Sequence, residues 1–156
     1  MEQVVKILIE KGETISTMES CTGGRIADAI TCVSGASEVL KFSAVTYSNE
    51  YKIKMGVPQE TIETYTVYSI ETANAMAKSI SDFTNSNYGI GITGQLKRID
   101  PNNKVGREDM VYISIYDKNN DKYINATVQV DKDTRNENKN VVLTIVKNLL
   151  LNIIWH

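Results

Sequence analysis

The segment at residues 17–25, TMESCTGGR, places three potential nucleophiles beside a pair of glycines. Ser20, Cys21 and Thr22 follow a stretch in which apolar residues alternate and precede a helix-like pattern, which indicates a strand-to-helix junction. The first turn of a helix has free N–H groups, and the two glycines would let a ligand oxygen approach them closely. Such a junction suits a bound anion or a developing oxyanion, although a capped helix with a glycine-eased start gives the same pattern.

The histidine content limits how a nucleophile in this segment could be activated. The single histidine, His156, is the last residue, where chains usually fray, so Ser-His-Asp and Cys-His catalysis lack an internal base. Metal sites built from His and Cys are equally short of ligands. A carboxylate-only magnesium site is left open, but no clustered carboxylate pair indicates one, so we expect no metal. The familiar substitute is a lysine, whose pKa must fall to near neutrality at a cost of about 4–5 kcal/mol.

The segment TYSNEYK, residues 46–52, offers such a lysine. Tyr47 would end a second strand, Asn49 would cap a helix, and Lys52 would lie in the first turn of that helix. If the first two strands are neighbours, both junctions open onto the same edge of the sheet, where α/β folds place their sites. Taken alone, Lys52 has the pattern of a solvent-exposed lysine. Cys21 is an alternative nucleophile because a helix N-terminus lowers the pKa of a thiol, but no histidine accompanies it.

Composition indicates an ordinary globular protein. The chain has 156 residues, of which 42% are hydrophobic and 23% charged, and we expect one domain over residues 1–156. A formal charge of −2 and a pI near 5.5 argue against a nucleic-acid partner. The chain shows neither a signal peptide nor a membrane-length apolar run, so we expect a cytoplasmic protein. Of the two cysteines, Cys32 is expected to be a small buried residue, and no disulfide framework is indicated.

The hydrophobic pattern predicts the elements that must position these residues. Helices are predicted at 2–11, 22–33, 49–56, after Pro58, after Ser69 and after Thr134, and strands at 14–18, 42–47, 88–93, 110–116 and 123–130. Gly12 would end the first helix, and Thr134 has capping-box spacing to Glu137. This order implies a layered α/β domain with a mixed sheet. The last helix is very apolar for a surface element, so it would either form a homodimer contact or belong to the inner layer of the monomer.

Three segments resemble the CinA C-terminal domain family, whose characterised members include the bacterial nicotinamide mononucleotide deamidases. These segments are ESCTGGRIADAITCVSGAS, AVTYSNEYKIKMGV and YSIETANAMAKSI, which occur in family order and at family spacing. The resemblance runs from about residue 3 to the end of the chain. It implies a three-layer α/β/α domain with a mixed central sheet and a Ser-Lys amidohydrolase without a cofactor. Ser20 falls on the nucleophile, Lys52 on the general base, and Tyr47 on a tyrosine close to that pair.

The resemblance also implies a substrate, because members of this kind release ammonia from nicotinamide mononucleotide and give nicotinic acid mononucleotide in pyridine-nucleotide salvage. The N–H groups near residues 21–24 would hold the oxyanion, and Thr22 with the glycine backbone would be the first candidates for binding the phosphate. The residues expected to bind the substrate are Glu19, Cys21, Thr22, Gly23, Gly24, Asn49, Thr93, Gly94 and Arg135.

The sequence departs from the family pattern after the third strand. The family continues as T-G-I-A-G-P-x-G-G, whereas here Thr93-Gly94 is followed by QLKRIDPNN; Val105-Gly106 rejoins the pattern and RED is inserted. Lys97 and Arg98 could bring positive charge to a phosphate or belong to a solvated loop. Further along, the family's G-D-R-x-x-x-R appears as DTRNENK. This segment keeps Arg135 and Lys139, and Arg135 would face the site, a neighbouring subunit or solvent.

The altered loop leaves other functions open. The same Ser-Lys machinery could act on another small amide, or the pocket could bind a nucleotide or a partner protein without catalysis. Larger family members carry an N-terminal nucleotide-pyrophosphatase domain. Because this chain starts at the first helix, we expect a stand-alone form with no pyrophosphatase activity.

Overall fold

The computed structural model describes residues 1–97, 102 and 106–155. Within these residues the chain forms seven helices and five strands. In chain order they are α1 (Glu2–Lys11), β1 (Ile15–Glu19), α2 (Arg25–Thr31), α3 (Ala36–Val39), β2 (Leu40–Val45), α4 (Asn49–Lys54), α5 (Gln59–Tyr65), α6 (Ile70–Thr84), β3 (Tyr88–Gly94), β4 (Met110–Asp117), β5 (Lys122–Gln129) and α7 (Arg135–Ile154).

The strands form one mixed sheet in the order β2-β1-β3-β4-β5. The first three are parallel, and β4 and β5 are antiparallel to their neighbours. One apolar core lies between the sheet and α1, α2, α3 and α7, and a second lies between the sheet and α6. The α/β fold with a mixed sheet and helices on both faces is therefore confirmed. In the described part of the chain, none of the helices combines the length and hydropathy needed to cross a membrane.

Local sequence signals determine several helix ends as predicted. Gly12 ends α1 with a left-handed φ of 65°. The Ser69 side chain accepts a hydrogen bond from the N–H of Thr72 at the start of α6. Thr134 and Glu137 form the capping box of α7. On α7, Val142, Val146, Leu150 and Ile154 are buried in the first core, so this helix belongs to the inner layer of the chain.

Other boundary predictions are wrong, because long-range packing decides them. Helix α2 begins at Arg25, three residues late, since residues 21–24 form a turn. Strand β2 covers Leu40–Val45, so Tyr47 lies beyond its end. Ser48, not Asn49, caps α4 by accepting from the N–H of Tyr51. All five residues of β1 are buried, so buried and exposed side chains do not alternate along it. This is typical of a central parallel strand that is covered on both faces.

Cys32 is exposed, contrary to the prediction that it is buried. The residue follows α2 directly, and its backbone N–H donates to the Asp28 carbonyl oxygen to close the last turn of the helix. An apolar side chain at a helix end is buried only if another element covers that end, and periodicity does not report this.

Helix α6 lies directly on β3 because two glycines remove the side chains between them. A Cβ built on Gly89 would come within 2.0 Å of the Ala77 carbonyl oxygen, and one on Gly91 within 2.2 Å of the Ala73 carbonyl oxygen. Glycine at both positions lets the backbone of α6 approach the backbone of β3 this closely.

We expect Gly91→Ala to lower the free energy of unfolding by about 3 kcal/mol or more, because the helix must move away from the sheet. Gly12→Ala is the control: among the described atoms its Cβ meets nothing within 4 Å, and it carries only the strain of a φ of 65°. That strain costs about 1 kcal/mol. Urea unfolding followed by circular dichroism measures both. Equal losses in the two variants would contradict the close approach of α6 and β3.

Candidate active site

Ser20 and Lys52 meet at the carboxyl edge of the parallel strands. Ser20 directly follows β1, and its N–H donates to the Ile92 carbonyl oxygen of β3 at 2.9 Å. The Nζ of Lys52 donates to the Ser20 Oγ at 3.2 Å and to the Thr46 carbonyl oxygen at 2.8 Å. Lys52 is 2% exposed and Ser20 is 9% exposed, so the contact lies in the interior, with only a small opening at the serine.

The interpretation of Lys52 as a solvent-exposed lysine is wrong, because α4 turns this residue inward. Its neighbours Glu50 and Lys54 form an exposed ion pair on the outer side of the helix. The parallel pairing of β1 and β2 continues past the strands, where the Thr46 N–H donates to the Glu19 carbonyl oxygen at 2.9 Å. Thr46 therefore lies opposite Ser20, and its own carbonyl holds the amine against the serine.

This arrangement has the components of a serine activated by an amine. Removal from water penalises the ammonium form of a lysine and favours the neutral amine. A neutral amine in hydrogen-bond contact with a hydroxyl can take its proton as the oxygen attacks a carbonyl carbon. The small opening at Ser20 gives a substrate access to one side of the pair.

Glu19 holds the turn that presents Ser20. Its fully buried carboxylate accepts hydrogen bonds from the Thr22 hydroxyl at 2.6 Å and from the Thr17 hydroxyl at 3.3 Å. It also accepts from the N–H groups of Gly24, Ile26 and Ala27 at 3.0–3.2 Å, and so caps α2 from the preceding strand. The Glu19 and Thr22 side chains thus bind each other, and both are buried.

Most N–H groups around the turn are already engaged. The Ser20 N–H bonds β3, the Gly23 N–H donates to the Ser20 carbonyl oxygen, and the Gly24 N–H donates to Glu19. The N–H groups of Gly23 and Gly24 are therefore engaged within the turn in this structure. Toward the rest of the described chain, the N–H groups of Cys21 and Thr22 make no hydrogen bond. These two are the candidate oxyanion donors.

Cys21 is unsuited to act as the nucleophile. Its side chain is 4% exposed, and burial raises the pKa of its thiol to about 12. The nearby cationic forms of Lys52 and Arg135 lower the thiol pKa, but by less than burial raises it. The alternative nucleophile of the sequence analysis is thus a thiol that stays protonated at neutral pH.

Arg135 reaches the same region from the start of α7. Its guanidinium donates to the Leu96 carbonyl oxygen at 3.2 Å and to the Tyr47 hydroxyl at 3.3 Å. Both Arg135 and Tyr47 are exposed, so the pair borders solvent. Among the described residues, the Tyr47 hydroxyl hydrogen-bonds Arg135 and not the Ser20–Lys52 pair.

Lys139 is a further cation beside the turn. It lies one helical turn after Arg135, and a Cβ on Gly23 would be 3.3 Å from its Nζ. The guanidinium of Arg25 binds the side-chain oxygens of Asn136 and Asn140, which ties α2 to this end of α7. Sequence reasoning noted Lys139 only as a basic residue and missed the asparagines. The four-residue spacing of Asn136 and Asn140 in NENKN was the available signal.

The remaining site candidates are placed as follows. The Thr93 hydroxyl is buried and donates to the Val67 carbonyl oxygen at 2.7 Å, so it supports the loop before α6. A Cβ on Gly94 would lie 2.4 Å from the Met110 carbonyl oxygen, so the close approach of β4 requires a glycine at this position. Asn49 is the first residue of α4 and is half-buried. The Nζ of Lys97 donates to the Asp131 carbonyl oxygen at 3.0 Å.

Arg98, Val105 and His156 lie outside the described residues, as does most of the altered loop. Across residues 1–97, 102 and 106–155, no three side chains of His, Cys, Asp or Glu gather in a geometry that could hold a metal ion.

Comparisons with known proteins all indicate the same family. The family model of the CinA C-terminal domain matches residues 1–154 of this chain. A CinA-like protein of Endomicrobium trichonymphae is 37% identical over 150 residues, which cover 94% of this chain and 34% of that protein. A CinA-like protein of Desulforapulum autotrophicum is 48% identical over 96 residues, 60% of this chain and 23% of that protein. The chain thus spans about a quarter to a third of these relatives.

Solved structures show the same fold. A CinA superfamily protein of Klebsiella pneumoniae superposes with a TM-score of 0.88 at 20% identity, covering 99% of this chain and 95% of that one. The competence/damage-inducible protein of Agrobacterium tumefaciens gives a TM-score of 0.79 at 29% identity, covering 98% and 93% of the two chains.

The two cysteines should differ sharply toward alkylation, because only a thiolate reacts and the Cys21 thiol is buried and protonated. We expect iodoacetamide at pH 8 to label Cys32 in the folded protein and both cysteines in urea, as measured by peptide mass spectrometry. The Cys32→Ser variant is the control and should take up no label while folded. Labelling of folded Cys21 at the rate of Cys32 would contradict its burial.

Proposed function

The chain belongs to the CinA C-terminal domain family, and we propose that it is a serine amidohydrolase in which Ser20 is the nucleophile and Lys52 the general base. The observation that carries the proposal is the buried hydrogen bond of 3.2 Å between the Lys52 Nζ and the Ser20 Oγ. The sequence supports the same pair. Histidine is the usual base for a catalytic serine, and the single histidine of the chain is its last residue.

In the acylation step, the neutral amine of Lys52 takes the hydroxyl proton while the Ser20 Oγ attacks the carboxamide carbon. The carbonyl oxygen becomes an oxyanion, which the N–H groups of Cys21 and Thr22 stabilise. The tetrahedral intermediate then collapses and breaks the C–N bond. The leaving nitrogen takes the proton from the Lys52 ammonium and departs as ammonia, which leaves an ester on Ser20.

In the deacylation step, the regenerated neutral Lys52 takes a proton from water as the water oxygen attacks the ester carbon. As the second tetrahedral intermediate collapses, the Lys52 ammonium returns the proton to the Ser20 Oγ and a carboxylic acid is released, which ionises. The net reaction consumes one water and one carboxamide and yields one carboxylate and one ammonium ion, with no metal or redox partner required.

We assign nicotinamide mononucleotide as the substrate, with nicotinic acid mononucleotide as the product of a cytoplasmic salvage reaction. The cations beside the turn support a phosphate-bearing substrate. Arg135 is held at the site rim by Leu96 and Tyr47, and Lys139 lies against Gly23. Guanidinium and ammonium groups bind phosphate by charge-assisted hydrogen bonds. In this proposal Tyr47 orients Arg135, and the phosphate is bound by these side chains and not by Thr22.

Ammonia release from nicotinamide mononucleotide tests the function. We expect Ser20→Ala and Lys52→Met each to lower kcat by about 1,000-fold or more, because each removes a component that the other needs. Lys54→Met is the matched control, since it removes an exposed lysine from the same helix, and should keep full activity.

Full activity in Ser20→Ala would exclude the serine mechanism. Saturable nucleotide binding without ammonia release by the wild type would instead support the binding function. Turnover of other amides with little turnover of the mononucleotide would support the alternative that the Ser-Lys pair acts on another small amide, as the altered 95–103 loop allows.

Arg135→Gln should raise KM for nicotinamide mononucleotide by about 10- to 100-fold and change kcat by less than about threefold, because the phosphate is remote from the reacting carbon. Steady-state kinetics with nicotinamide riboside, which lacks the phosphate, should show no such rise. Arg107→Gln is the control because Arg107 binds Asp109 on the surface. Equal rises in KM for the riboside and the mononucleotide would contradict phosphate recognition by Arg135.

A further inference from the structure

Gln95 is a buried carboxamide that hydrogen-bonds none of the described residues. Its side chain is 2% exposed, and neither Oε1 nor Nε2 makes a hydrogen bond to any described residue. The backbone is well anchored, because its N–H donates to the Met110 carbonyl oxygen at 2.9 Å. Unpaired polar groups in an interior are unfavourable and rare, and folds tolerate them mainly where a ligand completes the hydrogen bonds.

The sheet places Gln95 on the same face as Ser20. Glu19 pairs with Ile92, so Ser20 lies level with Thr93 on the neighbouring parallel strand. Ile92 and Leu96 point into the core formed with α1, α2 and α7. Gln95 is the first residue after β3, and its N–H continues the pairing with β4, so we extend the strand alternation by one residue and assign its side chain to the side of α6.

The distance suits contact with one substrate group. Thr93 on the neighbouring strand is level with Ser20, and Gln95 lies two residues further along that chain segment. Strand rise and strand spacing then put the two Cα atoms roughly 8 Å apart. A glutamine side chain and a serine side chain extended from such positions can meet the same small planar group between them. Gln95 also precedes Leu96, whose carbonyl oxygen holds Arg135, so it lies between the reacting pair and the cationic rim.

We propose that Gln95 recognises the scissile primary carboxamide of the substrate, an inference that rests on the proposed amidohydrolase function. A carboxamide side chain offers an acceptor and a donor in one plane. Its natural complement is a second primary carboxamide, whose NH₂ donates to Oε1 and whose carbonyl oxygen accepts from Nε2. This pairing selects primary amides over esters of the same acyl group, because an ester has no N–H to donate. Gln95 is also the first residue at which the chain departs from the family pattern.

The first test uses stability without substrate. Gln95→Met keeps the side-chain length and removes both unpaired polar atoms, so we expect it to raise Tm by roughly 2–4 °C. Ser114→Ala is the matched control: its Oγ is also unpartnered among the described residues, but it lies within β4, opposite Gly91. It should raise Tm without changing ammonia release. A lower Tm for Gln95→Met would show that the amide supports the fold and would overturn the proposal.

The second test measures binding in the Ser20→Ala background, where turnover cannot interfere. Calorimetry compares nicotinamide mononucleotide with the methyl ester of nicotinic acid mononucleotide, before and after Gln95→Met is added. We expect the amide affinity to fall about 10- to 100-fold and the ester affinity to change less than about threefold. Equal losses for both ligands, or no loss for either, would overturn the proposal.

The outcomes separate this inference from the proposed function. Amide binding by neither protein also overturns the assignment of Gln95 to a carboxamide. The amidohydrolase function itself fails only if the wild type releases no ammonia from any primary amide supplied. A wild type that releases ammonia while Gln95→Met retains its preference for amide over ester keeps the function and removes the role of Gln95.

Discussion

A fully buried carboxylate must have its charge met by hydrogen-bond donors, and Glu19 meets this requirement with the turn and helix that follow it. Its oxygens bind the hydroxyls of Thr17 and Thr22 and the first N–H groups of α2. The strand, the turn and the helix are thereby fixed to one another on both sides of Ser20. The geometry of Ser20, the proposed nucleophile, thus depends on a fully buried neighbour.

The second half of the site is supplied by the next strand–helix unit. Strand β2 runs parallel to β1, and the backbone pairing that continues to Thr46 sets the start of α4 beside Ser20. Lys52 is then enclosed, and the Thr46 carbonyl oxygen directs its amine. Two consecutive units therefore deliver one group each to the same sheet edge, which is where parallel α/β sheets place their sites. The cationic rim comes from a third element, α7.

The sequence predicted what short-range chemistry decides. The helix ends at Gly12, Ser69 and Thr134 follow from residues within four positions, and each was predicted correctly. The burial of Lys52 and the exposure of Cys32 depend on which elements cover them, and sequence periodicity does not record this. The nucleophile and the base were assigned through family resemblance, and the structure brings these two residues into contact. The helix-cap role of Glu19 was missed because its partners lie beyond the strand end, on another element.

The central claim is that Lys52 activates Ser20, and a small sulfonyl fluoride tests it without reference to any substrate. An activated serine attacks the sulfur of methanesulfonyl fluoride and expels fluoride, whereas ordinary serines do not react. Peptide mass spectrometry should find the mesyl group on Ser20 in the wild type and no modification in Lys52→Met, which retains Ser20. Modification of Ser20 at the same rate in both proteins, or of another residue in place of Ser20, would contradict the claim.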